Sequence, residues 1–141
     1  MIDPLTLRSR IQQICTPCLG QYTFSVNGVV DSEPAIAILP DDEYGWHYPP
    51  SGTKTSGVEV VITLPYPKLK PMLNNAYLKE FRWGITLKQW NQNGNLLQAT
   101  NRLVIGLRDY LVTPPQQLPP DDSLGILEQV RFEIVEYEYQ N

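Results

Sequence analysis

The chain has 141 residues, 13 of them proline, with 42% hydrophobic and 18% charged side chains and a net charge of −4. That length fits one domain; the prolines, each removing a backbone donor and fixing φ, argue against a helical bundle, and the hydrophobic share excludes a disordered chain. No apolar run reaches the ~18 residues of a membrane span, Met1-Ile2-Asp3-Pro4 does not open a secretory signal, and charge this acidic does not suit a stand-alone nucleic-acid binder. The expectation is a soluble, strand-rich domain made in the cytoplasm.

The first predicted element is a helix over about 3–16. Asp3 caps it, Pro4 takes the first position, where a missing N–H costs nothing, and Leu7, Ile11, Ile14 and Cys18 form an apolar stripe. Pro17 and Gly20 stop it. Tyr22, Phe24 and Val26 then alternate with polar residues, as in a half-buried strand, and Asn27-Gly28 signals a tight turn. The next strand is expected at about 33–39, with Val29 to Ser32 as its approach; its nearly continuous apolar run suggests cover on both faces. Residues 40–56 read as a long loop, and loops of that length are usually functional or disordered. A strand over 57–64 follows, with Val58, Val60, Ile62 and Leu64 on one side.

Residues 65–76 carry three prolines and read as irregular, excluding a central strand or a regular helix. The longest strand signal begins near Tyr77, where Phe81, Trp83, Ile85 and Leu87 alternate with polar residues. A second helix is predicted at about 95–110, capped by Asn95, with Leu96, Ala99, Leu103 and Leu107 inward and Leu97 and Val104 widening the stripe. Gly106 inside that helix would cost about 1 kcal/mol relative to alanine. A proline-rich connector at 113–123 leads to a final strand at about 126–139, in which Val130, Phe132 and Ile134 face in and Glu128, Glu136 and Glu138 continue the same parity. Together these predict an α+β fold: a mostly antiparallel sheet of about five strands with two helices packed on one face, in the order α-β-β-β-β-α-β.

Catalytic constellations are hard to assemble from this sequence. Cys15-Thr16-Pro17-Cys18 has the spacing of a thiol–disulfide switch, but it sits at the end of a helix, where the dipole disfavours a thiolate. Cys15, Cys18 and His47 fall short of the four ligands of a structural zinc site. Asp41-Asp42-Glu43 lacks the ligand spacing of a calcium loop, and Asn91-Gln92-Asn93-Gly94 lacks the lysine and glycines of a phosphate loop. No enzyme, metal or cofactor is expected. What stands out instead is the loop holding Tyr44, Trp46, His47 and Tyr48 beside three acids, because tyrosine and tryptophan are enriched where proteins meet.

Charge is segregated along the chain. Residues 31–50 hold five acids and no Lys or Arg, residues 51–110 carry +5, and residues 111–141 carry −5. Opposed blocks suit a protein that meets copies of itself, or other proteins, at oriented surfaces.

The layout resembles the tail terminator (tail-completion) proteins of tailed bacteriophages, and is similar to the lambda-type minor tail protein U. The resemblance runs through the Leu7-Arg8…Ile11…Ile14 helix, Asn27-Gly28…Glu33-Pro34-Ala35-Ile36, Ser56-Gly57-Val58-Glu59-Val60-Val61-Ile62, and Trp83-Gly84-Ile85-Thr86-Leu87-Lys88-Gln89-Trp90 with the helix after it. It implies a virion protein at the head–tail junction with no catalysis, assembled in the host cytoplasm. Its copies would close a hexameric ring that caps the tail tube, stops polymerisation and docks the head connector (or stopper), and also the sheath protein where the tail contracts. Genomic DNA would pass through without sequence-specific binding. Under that expectation Tyr44, Trp46, His47 and Tyr48 belong to a subunit or partner interface, Asp41, Asp42 and Glu43 line the channel, and the +5 and −5 blocks are matching patches of a closed ring. The alternatives are another neck or head-completion protein, or a small thiol-disulfide oxidoreductase using Cys15 and Cys18.

Overall fold

The computed structural model describes residues 2–40, 52–92 and 94–140. Helix α1 spans Pro4–Cys15, and the Asp3 side chain accepts from the Thr6 N–H, as its capping position requires. Leu7, Ile11 and Cys15 form its buried stripe; Cys18, expected there, lies in the following turn and is only half-buried. Strand β1 (Gln21–Val26) and β2 (Val29–Pro34) close a hairpin through Asn27 and Gly28, at φ 52° and 78°. Both residues sit in the left-handed region that a two-residue hairpin turn demands.

Residues 29–39, read as one strand and its approach, are two strands in two sheets. β2 pairs β1, while β3 (Ile36–Leu39) runs parallel to β5 (Val58–Thr63), and Ala35 is the break between them. The supposed loop likewise ends in a strand, β4 (Lys54–Ser56), which pairs β1 and continues into β5 through Gly57. β1 is thus clasped between β2 and β4, a three-stranded sheet in the order β2-β1-β4. The junction needs glycine twice: Gly57 has φ +75°, and a Cβ on Gly20 would lie 1.9 Å from the Ser56 carbonyl oxygen.

The larger, seven-stranded sheet is built on β7 (Tyr77–Gln89) and β10 (Glu128–Gln140), antiparallel to each other over thirteen residues. Its main path is β3-β5-β7-β10-β8, with β8 at Leu111–Val112. Two short strands lie off that path: β6 (Lys68–Pro71) pairs β7 and β9 (Gln116–Leu118) pairs β10, so the proline-rich stretches are edge strands as well as loops. A turn at Leu73–Asn75 joins β6 to β7, with Asn74 and Asn75 at φ 62° and 60°.

Helix α2 (Leu96–Gly106) lies beside α1 on the same face of this sheet, capped by the Asn95 side chain. It is shorter than the sequence suggests, and Leu97 is exposed where a wider apolar stripe was expected. Gly106 is its last residue, and the side chain of Ile14 fills the place of a Cβ, at 2.7 Å. The core forms where the helices meet Val58, Val60, Ile62, Trp83, Ile85, Leu87, Phe132 and Ile134. Arg10 of α1 binds Asp109 and the Gly106 carbonyl and lies over the Tyr110 ring, clamping the helices together. The fold is α+β, with both helices on one face of a mostly antiparallel sheet.

Candidate interaction surfaces

The strand register joins two segments to the sheet at opposite ends of β5, and Tyr22 and Phe24 of β1 pack with Ala35 and Ala37. β5 meets β7 only from Val58↔Gln89 to Thr63↔Gly84. Beyond the Thr63 end, β7 continues as a ribbon with β6 on one side and β10 on the other. Before the Val58 end, β4 carries the chain back to β1 and the β1–β2 hairpin.

The ribbon exposes apolar side chains on both faces, among charged ones. Directly paired residues share a face, so Leu69, Pro71 and Tyr77 lie on the side of the helices, and Leu78, Tyr137 and Tyr139 on the other. Leu69, Met72, Leu73, Tyr77, Tyr137 and Tyr139 are exposed, Leu73 to 88%. The opposite extension, the hairpin tip, exposes Val26, Val29 and Val30, the last to 72%. Charge differs between the two: residues 66–79 hold three lysines and no acid, whereas residues 21–34 hold Asp31 and Glu33 and no base.

Carboxylates hold both extensions to the body. At the ribbon root, buried Glu80 takes Lys70 Nζ at 2.6 Å and the Arg82 guanidinium, and Arg82 reaches on to Glu133 at 3.3 Å. Hydrogen bonds from Lys70, then from Arg82, bring the Glu80 carboxyl down to about 2. At the hairpin root, buried Glu59 accepts the Tyr22 hydroxyl and Trp90 Nε1, the latter at 2.9 Å, tying the small sheet to the large one. Glu136 accepts Trp83 Nε1 at 2.9 Å and the Ile2 N–H at 2.8 Å, which explains an acidic residue on the core parity of β10.

The opposed charge blocks of the sequence meet within one chain. Lys79 lies directly opposite Glu138 and Arg82 bonds Glu133, because β7 carries much of the basic block and β10 much of the acidic one. Much of the charge of both blocks is therefore spent within the chain.

The sheet edges differ in kind. Met72 and Ala76 bond at the turn, so the alternation points Leu69 and Pro71 outward from β6, and proline has no N–H to offer a further strand. Glu133 directs its N–H and C=O toward Thr113, so Tyr137 and Tyr139 direct theirs to the same side, where no strand among the described residues meets them.

Asp41, Asp42, Glu43, Tyr44, Trp46, His47 and Tyr48 lie outside the described residues. Among the described residues no group of three or more His, Cys, Asp or Glu is placed to hold a metal, and no helix is long and apolar enough to cross a membrane. A hollow of about 410 Å³ at the ends of β3 and β5 is lined by Leu39, Pro40, Thr63, Leu64, Pro65 and Tyr66. Cys15 is fully buried, with its Sγ toward the Ala99 carbonyl, and burial pushes the thiol up to about 12. Burial of that kind disfavours the thiolate, the reactive form of a cysteine. The sequence pointed to the aromatic loop and not to these extensions. The ribbon tip did carry a signal in Asn74-Asn75, a pair suited to left-handed turn positions.

No protein-family model and no curated protein sequence matches the chain.

Proposed function

We propose that the chain is a structural virion protein, a bacteriophage tail terminator acting at the head–tail junction. Copies close a ring, a hexamer by the family resemblance, on the last ring of the tail tube. The ring stops elongation and presents a surface to the head connector, and to the sheath where the tail contracts. The role requires shape and contact, not turnover, and DNA passes without being read.

The observation that carries this reading is the β6–β7–β10 ribbon, with apolar side chains exposed on both faces beyond the end of β5. An isolated ribbon wet on both sides gains little from burial, and exposed apolar patches mark protein contacts. Such a ribbon suits a protein whose working state is an assembly.

Deleting the gene and imaging the particles tests the proposal. Tubes of uncontrolled length without attached heads are expected, and a gold-labelled chain restored in trans should mark the head-proximal tube end. Normal, head-joined tails in the deletion strain would refute it. A label confined to the head side would favour a stopper protein.

A further inference from the structure

We propose that the hollow between the helix-free face of the large sheet and the β8–β9 connector is a carboxylate site, with Arg131 as the cation that holds the ligand. This goes beyond the terminator reading and does not depend on it.

Arg131 lies directly opposite Thr86 of β7, and Glu133 stands opposite Gly84. These residues share the face turned away from the helices, since Phe132 and Ile134, which alternate with them, enter the core. The guanidinium occupies the space above Gly84: a Cβ there would lie 2.8 Å from Arg131 Cζ. Arg131 Nη1 donates to Thr86 Oγ1 at 3.2 Å, and no carboxylate among the described residues pairs with it. Arg10 and Arg82, by contrast, each bind a carboxylate. Arg131 is half-buried, and a cation drawn partly out of water gains more from a partner than one at the surface does.

Beside it is a hollow of about 250 Å³, whose lining includes Arg82, Thr113, Pro114, Gln116, Arg131 and Glu133. Its wall is fastened to β10. The Thr113 N–H donates to the Glu133 carbonyl at 2.9 Å, the Glu133 N–H donates to Thr113 Oγ1 at 2.8 Å, and Gln116 pairs with Arg131 in the ladder. A pocket formed in advance loses little freedom when it binds.

The charges around the hollow select the ligand. Arg82 is already bonded to Glu80 and Glu133, which leaves Arg131 as the cation without a carboxylate partner among the described lining residues. One negative charge balances it, and the planar fork of a guanidinium fits a carboxylate. Glu133 in the wall opposes a doubly charged phosphate more strongly than a singly charged carboxylate. That carboxylate can belong to a free small acid or to an acidic side chain of another protein.

Titration of the full chain at constant ionic strength, followed by the NMR signal of the Arg131 Nε–H, tests the site. The probes are propionate for a free acid, the blocked peptide acetyl-Gly-Glu-Gly-amide for a protein side chain, inorganic phosphate, and sodium chloride. A saturable shift with a carboxylate probe is expected, and the tighter of the two carboxylates names the source. Arg131→Gln, followed on neighbouring backbone signals, should weaken binding by about tenfold or more. Gly84→Ala keeps the charge but displaces the guanidinium, so it should weaken binding as well. Circular dichroism of each variant confirms folding. Carboxylate shifts no larger than those with chloride, phosphate bound more tightly than both carboxylates, or binding unchanged in either variant would overturn the proposal.

Discussion

At the scale of single residues, three buried groups show how the same chemistry gives different outcomes in different surroundings. Glu59 is held by two neutral donors, Tyr22 and Trp90. Tyr22→Phe strips one of them and should lower unfolding free energy by about 1–3 kcal/mol, the usual cost of leaving a buried polar group short of a partner; urea denaturation reads it. Glu80 is held by two cations instead, and its carboxyl sits at about 2 against an ordinary 4.5. The unfolded chain takes up that proton first as pH falls, so the stabilisation is complete above pH 4.5 and is lost toward pH 2. Glu80→Gln should flatten the fall of stability across that window in acid titrations followed by circular dichroism. Cys15 is fully buried, and that burial pushes its thiol up to about 12. Alkylation of the native protein at neutral pH should modify Cys18 and spare Cys15, while denaturation exposes both. Rapid native labelling of Cys15 would favour the redox alternative.

At the scale of elements, local chemistry explains most boundaries and close packing explains the rest. Asp3 begins α1 by accepting from Thr6, and Asp3→Ala should cost about 0.5–2 kcal/mol. Gly20 is different, because the local pattern reads it only as part of a helix stop. Its place is set by β4 crossing at the Gly57 kink, where the Ser56 carbonyl leaves no room for a side chain. Gly20→Ala should destabilise by about 3 kcal/mol or more, since backbone and not a flexible side chain must move; thermal unfolding would show it. Gly106, a liability by helix propensity, is the point where α2 accepts Ile14. The strand over 58–63 and the long strand from Tyr77 were legible because alternation reports a half-buried strand directly. β4, β6, β8 and β9 were not, because two to four residues carry too little periodicity to read.

At the scale of the whole molecule, the β6–β7–β10 ribbon and the β1–β2 hairpin leave apolar side chains exposed at two separate places of a small α+β domain. The β10 edge beside Tyr137 and Tyr139 is open among the described residues. Tyr139→Pro would remove an outward N–H there without breaking a ladder bond, so thermal unfolding should move little.

The sequence by itself determined the α+β class, α1 with its cap, the Asn27-Gly28 turn, the principal strands and the position of α2, because each is written in capping, turn chemistry or a period of two or 3.6 residues. The tertiary structure alone decided that residues 29–39 divide between two sheets, that the basic and acidic blocks face each other across β7 and β10, and that the apolar side chains at the two ends stay exposed. Alternation along a strand is the same whatever lies beside it. Register and cover are set by residues far away in the chain, so no local pattern can contain them.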